Sequence, residues 1–295
     1  MPHHQGFMHL VPAGMVPDPR WVAAQYPDLR NLQALALGGQ RWVYSADHPV
    51  DGAVVLKLVK PGQDPQRIAR EIDAVKAINS AHVPKIYGTG VVQSPLGPCV
   101  WVREQRIDGT NVAVLIRNGP FDRANLLQLA DNLLQALADA ERERTVHRDV
   151  KPWNMVKDPT GSYWLLDFGL ARDLSLTSLT PTAAPFGLGT YGYSPPEQMR
   201  NQKPRIDHRS DLFAAGVTIY EAGTGSNPFR AGARDDLEIL RRTERMPLPP
   251  LRLTFDQHSE FMDFVSTMTQ KYPDQRPRSV AEALQWLRDV VGRLP

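Results

Sequence analysis

The chain holds one cysteine, Cys99, among 295 residues. That excludes an intrachain disulfide framework and suits a reducing compartment. It lacks any run of about eighteen apolar residues and any basic-then-apolar leader at its start, so a cytoplasmic protein with no membrane partner is expected. Excess charge of one sign is also missing: 34 Lys and Arg face 32 Asp and Glu, and a net charge of +2 is too small to argue for a nucleic-acid partner. The runs Glu141-Arg142-Glu143-Arg144 and Arg241-Arg242-Thr243-Glu244-Arg245 read as solvated mixed-charge surface. His3, His4 and His9 have no Cys or carboxylate at ligand spacing and read as solvated too. No internal repeat is visible. What is present is 42% hydrophobic residues, enough for a large core, in a length that suggests two domains or two lobes.

Residues 1–30 carry Pro2, Pro12, Pro17, Pro19 and Pro27, which predicts an irregular extension in place of a helix or strand. From Leu35 the pattern turns to short extended stretches. Ala53 to Val59 is an apolar, β-rich run interrupted by Lys57, and a lysine inside an apolar strand needs a partner. Asp64-Pro65 supplies an N-cap and first-turn proline for a helix in which Ile68, Ile72 and Val75 recur, with Glu71 among them. Taken alone, Lys57 and Glu71 would make an ordinary ion pair. Further on, Leu126, Leu129, Leu133 and Leu137 form the apolar stripe of a helix starting near Asp122. Leu212 to Ala222 is apolar nearly all round, as in a helix buried on every side. Ser279-Val280-Ala281-Glu282 is a capping box opening a last helix, with Ala283, Leu284, Leu287 and Val291 inward.

Two segments stand apart. His147-Arg148-Asp149-Val150-Lys151-Pro152-Trp153-Asn154 is followed, thirteen positions after Asn154, by Asp167-Phe168-Gly169. Then come Gly189-Thr190-Tyr191-Gly192-Tyr193-Ser194-Pro195-Pro196-Glu197-Gln198, Asp211-Leu212-Phe213-Ala214-Ala215-Gly216 and Asp274-Gln275-Arg276-Pro277. In this order and with these gaps, residues 31 to 295 resemble the eukaryotic-like Ser/Thr protein kinase family, and its small bacterial members in particular. The resemblance implies an α+β, two-lobed fold: an extension over 1–30, a small β-rich lobe with one main helix over 31–104, and a larger, mostly helical lobe over 105–295.

It also implies transfer of the γ-phosphoryl group of ATP to Ser/Thr hydroxyls of protein substrates. There the enzyme aligns the hydroxyl, holds the metal ions and offsets charge in the transition state. Asp149 would accept the hydroxyl proton and Lys151 reach the γ-phosphate. Asn154 and Asp167 would each hold a Mg²⁺, with Mn²⁺ as an alternative ion; such hard cations want carboxylate and amide oxygens. Thr190 would bridge Asp149 and Lys151, as in the Ser/Thr-specific branch. Lys57 would touch the α- and β-phosphates and pair with Glu71. Asp211 would tie down the catalytic-loop backbone, and Arg276 would pair with Glu197.

One element departs from the family pattern. With Val43 as the valine that packs on adenine, the three glycine positions of the phosphate-covering loop fall on Ala36, Gly38 and Arg41, so only Gly38, with Gly39 beside it, keeps the backbone freedom the loop needs. Arg41 brings charge instead. Adenine is expected between Val43 and Val55 on one side and Val156 on the other, with hinge contacts from Gln105 to Ile107. Either Arg103 or Glu104 then falls at the gatekeeper position, with nothing in the sequence to explain a charge there. Ser175, Thr177, Ser178, Thr180 and Thr182 lie in the activation loop, Thr180 and Thr182 being the foremost candidates for self-phosphorylation within a transient dimer, with Arg148 receiving the phosphate. Two other readings remain: a catalytically weak or dead nucleotide-binding pseudokinase scaffold, favoured by the eroded glycine loop, and a small-molecule phosphotransferase, disfavoured by the Gly189 to Glu197 segment.

Overall fold

The structure, a computed structural model, describes residues 18–36, 41–61, 65–94, 96–168 and 190–295. Gly38, Gly39, Gly169, Gly189 and the stretch from Ser175 to Thr182 lie outside the described residues, as do the side chains of Ala36 and Glu71. The chain divides into two compact units, Met1–Lys76 with Lys85–Arg106, and Ala77–Pro84 with Ile107–Pro295.

The first unit contains α1 (Pro19–Gln25), β1 (Arg30–Ala36), β2 (Arg41–His48), β3 (Gly52–Val59), α2 (Pro65–Lys76), β4 (Ile86–Ser94) and β5 (Gly97–Gln105). Its sheet is antiparallel throughout, in the order β1-β2-β3-β5-β4. Because side chains alternate along a strand, the register sorts this sheet into two faces. Val54, Leu56 and Leu58 of β3 join Trp42, Tyr44, Ala46 and Cys99 in one apolar cluster. Val43, Lys57 and Val102 are opposite one another on the other face, followed by Ser45, Val55 and Glu104.

The first thirty residues are not irregular throughout, because Pro19–Gln25 is helical. Pro19 occupies the first turn, where its missing N–H has no intrahelical partner to lose, and the Asp18 carboxylate accepts from the Arg20 amide at 2.7 Å. Pro19 thus falls in its first turn and Pro27 beyond its end, while Pro2, Pro12 and Pro17 lie outside the described residues. Val22 and Leu29 enter the core of the first unit, and Tyr26 meets Trp101 edge-on with ring centroids 5.6 Å apart. Trp101 lies so close over Gly90 that a Cβ there would stand 2.7 Å from the indole nitrogen.

The second unit holds β6 (Thr110–Asn111), α3 (Val112–Arg117), α4 (Arg123–Arg142), β7 (Met155–Lys157), β8 (Tyr163–Leu165), α5 (Pro196–Met199), α6 (His208–Thr224), α7 (Asp236–Arg245), α8 (Glu260–Met268) and α9 (Val280–Arg293). Asp122 caps α4 as expected, accepting from the Asn125 amide at 2.8 Å. The α6 helix is buried from Ser210 through Tyr220, as its all-round apolar sequence predicts. Its Gly216 lets α8 approach, since a Cβ would fall 2.7 Å from Thr269 Cγ2. At α9, Ser279 Oγ accepts from the Glu282 amide at 3.0 Å, but Glu282 reaches back to the Arg278 amide at 2.8 Å, one residue earlier than a standard capping box. The inward stripe of α9 ends on Val290 and not on Val291, because the three-residue step from Leu287 lands there. Among the described residues, no helix is long and apolar enough to cross a membrane.

Candidate active site

In the second unit, α6 fixes the loop between α4 and β7. Asp211, in the first turn of α6, accepts from the backbone amides of His147 and Arg148, both at 2.7 Å. Burial pushes its carboxyl up to about 7, with the two amide hydrogen bonds pulling the other way. His147 carries the order onward: its Nε2 is 2.9 Å from the Leu166 carbonyl and its Nδ1 accepts from the Asp149 amide at 3.2 Å, an arrangement that places the ring proton on Nε2. The ring also meets Phe168 edge-on at 4.6 Å. Arg148 and Asp167 both adopt left-handed backbone, at φ 66° and 60°, uncommon for residues with a Cβ and typical of functional sites.

Around Asp149 the expected residues come together. Thr190 donates its hydroxyl to Asp149 Oδ1 at 2.8 Å and accepts from Lys151 Nζ at 2.9 Å, while Lys151 Nζ stands 2.9 Å from Asp149 Oδ2. Asn154 Nδ2 donates to the Asp149 carbonyl at 2.8 Å and to Oδ2 at 3.1 Å. Both carboxylate oxygens are therefore oriented, and a hydroxyl brought to this group would meet a fixed proton acceptor. Spending Nδ2 on Asp149 turns the Asn154 carbonyl oxygen to the opposite side of the amide. The Leu166 amide donates to the backbone carbonyl of Asn154 at 2.8 Å, which couples Asn154 to the segment that leads into Asp167. The carboxylate of Asp167 and the amide oxygen of Asn154 are donors of the kind that hard divalent cations take. Among the described residues no three His, Cys, Asp or Glu side chains cluster as metal ligands. Val156 is buried on β7, beside these residues in sequence.

The short helix α5 is tied to the same loop. Gln198 donates to the Arg148 carbonyl at 2.8 Å. Glu197 is gripped by Arg276 and also accepts from the Ser210 hydroxyl at 2.9 Å.

In the first unit, Lys57 Nζ lies 2.5 Å from Glu104 Oε1, and both side chains are buried. That answers the question left by the charged gatekeeper position. Glu104 shares the lysine's face, whereas Arg103 lies on the opposite face and reaches Asp51 at 2.8 Å. The alternation Val100, Val102, Glu104 against Cys99, Trp101, Arg103 was a usable signal for this in the sequence. Val43 and Val55 lie on the same face as Lys57. In the hinge stretch the Gln105 amide donates to the Lys85 carbonyl at 2.8 Å and the Arg106 amide to the Ala53 carbonyl at 3.1 Å, so both are committed within the first unit; Ile107 belongs to the second.

Comparison with known proteins agrees with this geometry. The Protein kinase domain family matches residues 33–287, and the chain belongs to that family. It is similar to the serine/threonine-protein kinase PknB of Mycolicibacterium smegmatis, with 30% identity over 259 residues, covering 85% of this chain and 41% of the relative. PknB of Mycobacterium tuberculosis is 29% identical over the same length and coverage. Serine/threonine-protein kinase PknD of Mycobacterium tuberculosis is 29% identical over 235 residues, covering 77% of this chain and 34% of the relative. The chain therefore spans about two fifths of the length of these PknB relatives, and less of PknD.

Proposed function

We propose that the chain is an ATP-dependent protein serine/threonine kinase that uses Mg²⁺, with Mn²⁺ as a substitute. The observation that carries this reading is the triangle of Asp149, Lys151 and Thr190, in which each pair stands 2.8–2.9 Å apart. Asp149 takes the proton of a substrate Ser or Thr hydroxyl as its oxygen bonds to the γ-phosphorus, the bond from that phosphorus to the bridging oxygen breaks, and ADP leaves. Lys151 stabilises charge on the transferred group, and Thr190 fixes the spacing between base and lysine. Asn154 and Asp167 would each hold a metal ion, whose charge would neutralise that of the phosphates. Lys57 engages the α- and β-phosphates, with Glu71 on α2 as a carboxylate partner. Val43, Val55 and Val156 pack on the adenine, and the Gln105 to Ile107 stretch meets its edge. Gly38 and Gly39 cover the phosphates.

The same reading includes self-phosphorylation at Thr180 or Thr182 within a transient dimer, favoured by Arg148 immediately before the base. The test is incubation with Mg²⁺ and γ-labelled ATP, with and without a generic basic protein, followed by phosphosite mapping of the active chain and of Asp149→Asn. Label on protein Ser or Thr that disappears in Asp149→Asn is the expected result. Nucleotide binding with no transfer would overturn the kinase reading in favour of a scaffold, and label confined to an added metabolite would favour a small-molecule phosphotransferase.

A further inference from the structure

We propose that Glu104 is a positioning residue for Lys57, gripping its ammonium from the sheet so that the lysine is held in place for the nucleotide phosphates. The inference rests on the nucleotide reading above. It starts from where the two residues stand in the ladder. Lys57 is opposite Val102, and Glu104 is two positions further along β5, so the pair is a same-face diagonal that long side chains can bridge. β5 is an interior strand: Glu104 is in register with Val55 on one side and Ile86 on the other. The carboxylate therefore projects from backbone that is fixed on both edges, whereas Glu71 belongs to a helix.

Burial sharpens the effect. Lys57 is 4% and Glu104 8% exposed, and the face around them carries Val100 and Val102, themselves buried. A charge pair in such surroundings interacts far more strongly than in water. A buried pair adds little stability over apolar residues of the same shape, so what it contributes here is one fixed geometry. An ammonium also has three donors, so a hydrogen bond to Glu104 does not exhaust its capacity to meet phosphate oxygens. Arg103, the other charged residue at this end of β5, is directed to Asp51 and has no part in the grip.

The test compares the affinities of ATP and adenosine for the wild-type chain, Glu104→Gln, Lys57→Met and the double variant. If Glu104 positions Lys57, Glu104→Gln weakens ATP by about tenfold, within the range that coupled neighbours show, while adenosine changes little. In the Lys57→Met background the same substitution changes neither. Glu104→Asp keeps the charge but shortens its reach by one methylene; it is expected to shift the ATP-to-adenosine ratio in the same direction and serves where Gln does not fold. Equal weakening of both ligands would mean a structural role only and would overturn the proposal. So would tighter ATP binding in Glu104→Gln, which would make the carboxylate a competitor of the phosphates, and so would a ratio shift in Glu71→Gln with none in Glu104→Gln. An unchanged ratio in a chain that still transfers phosphate removes this proposal alone. A wild-type chain that binds neither ligand removes the nucleotide reading and this proposal with it.

Discussion

Arg276 grips Glu197 with two parallel hydrogen bonds, Nη1 at 2.6 Å and Nη2 at 3.0 Å, and the two side chains are 0% and 2% exposed. They lie seventy-nine positions apart in the chain, so the pair ties α5 to the turn before α9. Removing one partner strands a buried charge, and either Arg276→Met or Glu197→Met should cost about 3–5 kcal/mol. The double variant should cost clearly less than the two singles added together. Urea unfolding of all four proteins checks this, and strictly additive losses would show that the charges do not act as a pair.

Asp149 and Asp167 separate chemistry from binding. Asp149→Asn keeps the shape that receives Thr190 and Asn154 but removes the proton acceptor, so phosphoryl transfer should fall by about 10²- to 10⁴-fold with the fold and ATP affinity kept. Asp167→Ala should instead weaken nucleotide binding in the presence of Mg²⁺ more than in its absence. Single-turnover rates and titrations with and without chelator distinguish the two. Full turnover in Asp149→Asn would mean that another group takes the proton.

Much of the second unit could be read from the sequence because its signals are local or fixed in order. Asp122 caps α4 through the next turn, α6 is apolar all round, and Asp211, Glu197 and Arg276 occur in segments whose order resembles one family. What escaped depends on long-range pairing. Lys57 announced that it needed a partner, but helical spacing pointed only to Glu71; strand alternation put Glu104 on one face with Val100 and Val102, yet that this face meets Lys57 follows from the register of β3 on β5, which no local pattern states. The α1 helix escaped for the opposite reason. Five prolines outweighed a seven-residue helix whose stability comes from burying Val22 against the sheet, not from its own propensity.

That burial makes residues 18–29 part of the first unit, although the family match begins at residue 33. A chain starting at residue 31 would lose Val22, fully buried, and Leu29, 8% exposed, and would uncover Trp101 where Tyr26 meets it. At about 1.5–3 kcal/mol for each buried aliphatic side chain, the truncation should cost roughly 3–6 kcal/mol. Val22→Asp in the full chain should reproduce most of the loss. Thermal unfolding of both variants is the check, and a truncated chain as stable as the full one would mean that α1 merely rests on the surface.

Lys271 offers a test by pH. Its ammonium lies 4.4 Å from the Phe229 ring centroid and 5.2 Å from that of Phe213, and its nitrogen is buried without a hydrogen-bond partner among the described residues. Burial, with the Arg276 charge nearby adding to it, depresses its pKa from 10.5 to about 8. The folded state thus holds this proton more weakly than the unfolded chain does. Below pH 8 the buried charge subtracts from stability; between pH 8 and 10.5 the folded lysine sheds its proton and the burden is relieved, so the residue's contribution improves as pH rises through that window. Lys271→Met, which keeps the apolar stem, should therefore be more stable than the wild type at pH 7 by roughly 1–3 kcal/mol once the lost ring contacts are set against the relieved charge. The difference should shrink steadily toward pH 10.5. Unfolding measured at several pH values between 6 and about 10.5 gives the answer, since groups other than Lys271 titrate alike in both proteins and cancel. A gap that stays constant across that range would show that the rings and not the charge set the cost of this lysine.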